Sequence, residues 1–282
     1  MTTARIGFLH PGDMGVSLAA TALRAGHQAL WASEGRSPAT RARATAHGLA
    51  DVGTLTALAA RCSVIVSICP PHAAEEVAAA VARAGFRGLY LDANAIAPER
   101  MTRLADTLAA HGIAPVDGGV IGGPAWSPGT YLHLSGARAC EVARLFDAQP
   151  LATCVQGPAI GTASALKMAY AARTKGTTAL LLAVLGAAER LGVRDALEAQ
   201  WEADDPGSAA SAHDRARRAT RKAWRFEGEM REIAATFEAA GQPAGFHQAA
   251  AAVYAALAGL KDADPLPDMG AVVAALTDPA RR

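Results

Sequence analysis

Short apolar runs alternate with helix-like stretches through the first half of the chain, whereas the second half shows helical spacing alone. The runs at 5–10, 28–32, 64–69, 88–92, 114–117 and 131–135 are bounded by Gly, Pro, Asn or Ser, the pattern of short buried strands. Helices are predicted between them: an Ala/Leu stretch ending at Ala25, another over 73–84, and one over 98–111 that begins with proline in its first turn. Strands separated by helices imply a mainly parallel sheet wound on both faces, an α/β domain whose ligands lie beyond the carboxyl ends of the strands. Residues 67–71 and 94–97 are therefore expected to line a ligand cleft.

After Pro158 no proline occurs until Pro206, and Ala, Leu, Met, Lys and Arg dominate, so one long helix is predicted over 161–191. Its uncharged run between Lys175 and Glu189 is shorter than the roughly 20 residues of a bilayer span, which makes it a buried core helix. Ser164, Lys167, Tyr170, Thr174 and Thr178 fall on one narrow polar stripe. That stripe is either a wet face, with Lys167 an ordinary solvated lysine, or a chemical one.

Beyond Gly192 all is helical. One charged helix is predicted over 211–239 with Trp224, Met230, Ile233 and Phe237 as its buried stripe, then helices over 245–260 and 270–276. Two domains result: 1–157, wound α/β, and 158–282, all-α, joined through the long helix. Trp224, Arg225, Phe246 and His247, aromatic or basic and near helix ends, are candidates for the far wall of a site.

A net charge of +1 excludes a nucleic-acid footprint or a membrane-seeking basic helix. The basic cluster 215–222 is balanced by Asp214, Glu227, Glu229 and Glu232 and reads as a solvated face. Cys62, Cys69, Cys140 and Cys154 lack CxxC pairing and metal-ligand spacing, so they are expected to be reduced and mostly buried, with no metal. The N-terminus enters a strand directly, without a signal-peptide core, which points to the cytoplasm.

The strand, tight turn, helix and second strand within 5–32 form a βαβ unit. In its turn, His10-Pro11-Gly12-Asp13-Met14-Gly15, Gly12 and Gly15 hold the second and third places of a dinucleotide fingerprint, and His10 stands where the first glycine belongs. The free N–H groups of the following helix suit a diphosphate. At the end of the second strand Ser33 takes the place usually held by an acid, with Arg36, Ser37 and Arg41 close behind. A hydroxyl backed by guanidinium groups favours the 2′-phosphate of NADP, while Glu34 keeps NAD open. Cys69, Pro70 and Asn94 complete the expected cofactor contacts.

These residues resemble the β-hydroxyacid dehydrogenase superfamily, which includes 3-hydroxyisobutyrate and 6-phosphogluconate dehydrogenases. The similarity covers nearly the whole chain. Residues 6–15 look like the family's opening IGFIGLGxMG, 92–98 its DxSTISP, 117–123 with Gly129-Thr130 its substrate loop DAPVSGG…GT, and 161–167 its GxGxxxK. The resemblance implies a Rossmann domain, an interdomain helix and an all-helical dimerising domain. It implies that Lys167 is the catalytic lysine, facing nicotinamide in the cleft between the domains, and that Ile121, Gly122 and Gly123 lie at the substrate, where the stripe shared with Lys167 also puts Tyr170 and Thr174. The family's substrate serine is Ile121 here, its asparagine four residues after the lysine is Ala171, and the lysine of a later KDL motif has no counterpart near Gly228-Glu229-Met230. The similarity is to a branch with its own type of C-terminal domain.

The function so implied is an NADP- or NAD-dependent oxidoreductase acting on a small hydroxy or carbonyl compound, with Lys167 as general acid/base and Asn94 and Tyr170 orienting the substrate oxygen. An imine reductase-like activity and a non-catalytic dinucleotide-binding regulator are the alternatives. Small molecules are the expected partners, and a homodimer the expected assembly.

Overall fold

In the computed structural model, which describes residues 3–261 and 263–278, the chain divides into two compact units, Met1–Met168 and Ala169–Arg282. The first unit runs β1 (Arg5–Phe8), α1 (Asp13–Arg24), β2 (Gln28–Trp31), α2 (Pro38–Ala46), β3 (Ala50–Asp51), α3 (Leu55–Arg61) and β4 (Val64–Ser67). It continues with α4 (Ala74–Arg83), β5 (Leu89–Asp92), α5 (Pro98–Ala110), β6 (Ala114–Ile121), β7 (Thr130–Ser135), α6 (Ala139–Leu145), β8 (Leu151–Gly157) and the start of α7 (Thr162–Leu191). The rest of α7 and α8 (Arg194–Asp204), α9 (Ser208–Thr220), α10 (Ala223–Ala239), α11 (Gly245–Ala256) and α12 (Met269–Thr277) form the second.

The eight strands form one sheet in the order β3-β2-β1-β4-β5-β6-β7-β8. All neighbours are parallel except β6 and β7, so β7 and β8 run against the rest. The order reverses between β1 and β4, the switch point where wound sheets open a ligand crevice. One sheet face is covered by α1 and α6, through Leu18, Ala22, Val142 and Phe146, and the other by α3, α4 and α5, through Leu58, Val81, Met101 and Leu104. Both layers exclude water from β1, β4 and β5, which is why those strands read as unbroken apolar runs.

Several expectations need correction. Strand β8 and the two-residue β3 carry no continuous apolar run because both lie at sheet edges and stay partly exposed. Helices α2, α3, α6 and α8 were likewise not legible; α3 and α6 are only seven residues long. Strand β6 continues to Ile121, so most of the expected substrate loop is strand. The helix foreseen over 211–239 breaks at Arg221-Lys222. There the Thr220 hydroxyl donates to the Arg217 carbonyl (2.7 Å), while the Arg217 guanidinium is drawn to the carbonyls of Leu266 and Pro267.

In the second unit Met230 and Ile233 are buried as expected, but Trp224 is exposed and Phe237 half-buried. Helix α7 is not buried all round, since Leu180 and Leu191 are exposed. Lys175 pairs with the buried Glu229 and sits 5.0 Å from the centre of the Phe226 ring. The Tyr254 hydroxyl donates to the Lys175 carbonyl (2.8 Å), so the buried end of this tyrosine is matched to the backbone of α7. Cys62 and Cys69 are buried, Cys154 is half-buried and Cys140 exposed; all four are free thiols. No helix of the described residues is long and apolar enough to cross a membrane.

Candidate functional site

The turn after β1 is drawn to the switch point by the Leu9 amide, which donates to the Val66 carbonyl at the end of β4 (3.1 Å). Gly12 is the N-cap of α1, with no side chain bonded to the cap, so the first-turn N–H groups keep their positive end for an anion. A Cβ on Gly15 would lie 2.3 Å from the His10 carbonyl oxygen, so only glycine lets α1 start beneath the turn. A Cβ on Gly12 would meet nothing within 4 Å, which is the room a diphosphate needs there. Asp13, first in α1 beside Met14, puts a carboxylate at the same mouth. Arg43 from α2 answers it, with Nε 3.3 Å from Asp13 Oδ1 and Nη1 donating to the Pro11 carbonyl (3.4 Å).

At the far end of this turn His10 and Arg36 line a cavity of about 120 Å³ walled by Leu9, Ala32, Leu55 and Val77. Burial, and then the Arg36 guanidinium, lower the His10 pKa to about 4, so its ring is neutral. His10 Nδ1 and Arg36 Nε are buried and have no hydrogen-bond partner among the described residues. Such orphaned groups beside a glycine turn and an uncapped helix fit the adenosine half of a dinucleotide. Ser33 is buried, and its hydroxyl and amide bond the Asp51 carboxyl. Burial acts to raise the Asp51 pKa, but these bonds and the one from the Gly53 amide (2.8 Å) outweigh it and hold the pKa below the ordinary value. Asp51 was not foreseen, because only the pairing of β3 to β2 brings it beside Ser33.

At the ends of β4 and β5, Asn94 is fully occupied. Its Oδ1 accepts from the Cys69 amide (2.6 Å), its Nδ2 donates to Asp92 Oδ2 (2.8 Å) and Ser67 Oγ (3.3 Å), and its own amide donates to Asp92 Oδ1 (3.1 Å). Asn94 thus shapes the Cys69-Pro70 turn instead of reaching outward. The Cys69 thiol is pushed up to about 12, first by burial and then by Asp92, so it stays protonated. Burial, with Asp117 adding, raises Asp92 to about 7 against the bonds from Asn94. Because the folded protein holds this proton more tightly than the unfolded chain, the stability it confers is complete below 3.8 and is lost as pH rises to about 7. The unfolding free energy measured in urea should therefore fall across that window, by up to about 1.4 kcal/mol per pH unit. Asp92→Asn should flatten the slope; an unchanged slope would place the proton elsewhere.

Lys167 is set by the docking of α7 onto β6. Asp117, fully buried, accepts from the Gly161 amide (3.0 Å), the Ser164 amide (3.0 Å), Ser164 Oγ (2.6 Å) and Ser135 Oγ (2.9 Å). Ser135 Oγ in turn accepts from the Ala163 amide (3.1 Å). Two residues along, Gly119 makes the close approach possible, since a Cβ there would lie 2.7 Å from the Ala163 carbonyl oxygen and 3.1 Å from Lys167 Cβ. The Lys167 ammonium donates to the Val120 carbonyl, at the carboxyl end of β6. Ile121 ends the strand, buried; Gly122 (φ +115°) turns the chain, and the Gly123 carbonyl accepts from Thr130 Oγ1 (2.8 Å).

His10, Pro11, Gly12, Arg36 and Cys69 thus gather at the switch point, and Lys167 with Ile121 at the end of β6. Tyr170 and Thr174 belong to the second unit. Tyr170 is exposed, and the Thr174 hydroxyl is turned back to the Tyr170 carbonyl of its own helix (3.2 Å). The polar stripe is therefore not one surface, because Ser164 faces inward to Asp117 and the threonine hydroxyls serve helix carbonyls. Asp117 as the anchor of α7, and His133 and Tyr131 on β7, were not anticipated. The alternation of β7 was the available signal.

Among solved structures, MTH1747, a conserved protein of unknown function with structural similarity to 3-hydroxyacid dehydrogenases, is 28% identical over 90% of this chain and 96% of its own (TM-score 0.65). A Mycobacterium tuberculosis 3-hydroxyisobutyrate dehydrogenase with L-serine is 20% identical over 98% and 100% (TM-score 0.68). A reductive aminase from Aspergillus terreus in complex with NADPH and ethyl levulinate is 17% identical over 96% and 99% (TM-score 0.58). The last two share the fold. No curated protein matches the chain. Residues 188–257 match a domain of unknown function, DUF1932. Residues 5–146 match the NAD binding domain of 6-phosphogluconate dehydrogenase, so the chain belongs to that family, within the β-hydroxyacid dehydrogenase superfamily and with a helical C-terminal domain.

Proposed function

We propose that the protein is an NADP-preferring oxidoreductase that interconverts a small hydroxy compound and its carbonyl, with Lys167 as general acid/base. The observation that carries this reading is the ammonium of Lys167, fixed by α7 at the carboxyl end of β6 and held at the Val120 carbonyl. The bound dinucleotide supplies or accepts the hydride. Lys167 Nζ gives its proton to the substrate oxygen on reduction and takes it back on oxidation. Gly12 and the first turn of α1 hold the diphosphate, the His10–Arg36 cavity the adenosine, and Ile121-Gly122-Gly123 one wall of the substrate pocket. Arg36, with an unmatched buried Nε, supports a preference for the 2′-phosphate over the pull of Asp51 and Glu34 toward NAD.

Imine reduction is the second reading. It is favoured by the buried Ile121, an apolar wall where the family has a serine, and by the fold shared with the reductive aminase.

The test mixes the purified protein and NADPH with aldehydes, β-keto acids and cyclic imines and follows loss of nicotinamide absorbance. Turnover of carbonyl compounds is expected. Binding of NADPH without turnover of any class would favour a non-catalytic regulator. In a fluorescence titration NADPH should bind more tightly than NADH, by about tenfold or more for a charge-assisted pair, and Arg36→Ala should narrow the gap. Equal affinity in the unaltered protein overturns the NADP preference.

A further inference from the structure

Strand β7 alternates strictly: Leu132 and Leu134 are buried in the core, so Tyr131, His133 and Ser135 project from the opposite face. Antiparallel partners share a face, and the register pairs Ser135 with Asp117, His133 with Gly119 and Tyr131 with Ile121. His133 therefore stands across from a β6 residue without a side chain, and the Lys167 stem borders the same gap from α7. The imidazole is fixed on its other edge, where Nδ1 accepts from the Gln156 amide (2.9 Å) on β8. With Nδ1 an acceptor, the ring hydrogen lies on Nε2. The Tyr131 ring stacks beside it at 6.2 Å. Burial, and then the Lys167 ammonium, hold the His133 pKa below the ordinary value, so the ring offers a donor hydrogen and no second charge.

We propose that His133 is a substrate-contacting residue of this site, its Nε2–H donating to the substrate oxygen that Lys167 protonates. Strand β6 carries Ile121 where the family has a serine, and the neighbouring strand supplies a polar donor in its stead. The apolar wall of Ile121, in place of the family's serine, favours a carbonyl compound with an apolar substituent over a 3-hydroxy acid. The inference rests on the oxidoreductase reading of Lys167.

The test uses His133→Leu and His133→Gln in the full chain. The Leu variant should lose about 10- to 100-fold in kcat/KM for carbonyl substrates, the usual worth of a donor on a developing oxyanion, with NADPH affinity unchanged. The Gln variant, which keeps an amide donor, should recover most of it. An unaltered rate in His133→Leu overturns the role of His133 and leaves Lys167 standing, whereas no turnover in the unaltered protein strikes the oxidoreductase reading itself. Imidazole NMR gives a readout independent of activity. The titratable groups about the ring are Lys167 on α7, Tyr131 on β7, Cys154 on β8 in register with His133, and Asp117 on β6, two residues from Gly119 on the same face. The spectrum should show the hydrogen on Nε2 and a pKa that rises when Lys167 is replaced by Met. A hydrogen on Nδ1, or a pKa indifferent to Lys167→Met, overturns the arrangement.

Discussion

Replacing Lys167 by Met is expected to lower kcat for a carbonyl substrate by about 100-fold or more while leaving the fold and cofactor affinity intact. Methionine keeps the unbranched stem that packs over Gly119, so α7 retains its seat on β6. What is removed is the ammonium hydrogen bond to the Val120 carbonyl and the proton itself. A positioned acid or base is worth about 10² to 10⁴ in rate, far more than the roughly 1 kcal/mol of stability that one hydrogen bond carries. The expected signature is thus a fall in kcat with little change in NADPH binding or urea midpoint. An unchanged rate would mean that Lys167 is a bystander. A fall confined to carbonyl substrates, with cyclic imines still reduced, would favour the imine reading, because an iminium arrives already protonated and asks mainly for hydride geometry.

Asp117→Ala should destabilise the first unit by about 3 kcal/mol or more, the scale for breaking a buried hydrogen-bond network. Four donors lose their acceptor together: the Gly161 and Ser164 amides and the hydroxyls of Ser164 and Ser135. The start of a thirty-residue helix also loses the carboxylate at its positive end. Asp117→Asn keeps one acceptor oxygen and should cost less. Urea unfolding of the three proteins checks the order. A midpoint for Asp117→Ala equal to the unaltered protein would show that Asp117 does not hold α7. Because Ser164 and Lys167 are one turn apart, the Ala variant should also lose activity even where it remains folded.

The two variants separate what was visible along the chain from what was not. The helix that carries Lys167 was legible from its Ala and Leu after Gly161, whereas the stripe left Lys167 open between a solvated and a chemical lysine and only the resemblance of 161–167 gave it a role. Asp117 was visible only as part of a motif: its four donors lie 18 to 47 positions away, and no local pattern reports such a set. Asn94 was placed correctly at the end of β5, yet its amide spends its bonds inward on Cys69, Asp92 and Ser67, partners that only the sheet assembles. Tyr170 and Thr174 share the helical phase of Lys167, but phase says nothing of where a hydroxyl turns, and that of Thr174 turns to its own backbone.

By itself the sequence determined the alternation of strand and helix, the glycine turn after β1 and the long helix bearing Lys167. These rest on local physics: apolar runs that must be buried, glycines where a Cβ meets a carbonyl, and a stretch free of proline. Tertiary structure decided the reversal of β7 and β8, the break between α9 and α10, and the pairing of Asp51 with Ser33 and of His133 with Gly119. Edge strands, short helices and cross-strand neighbours draw their stability from partners distant in the chain. A pattern read a few residues at a time does not contain them.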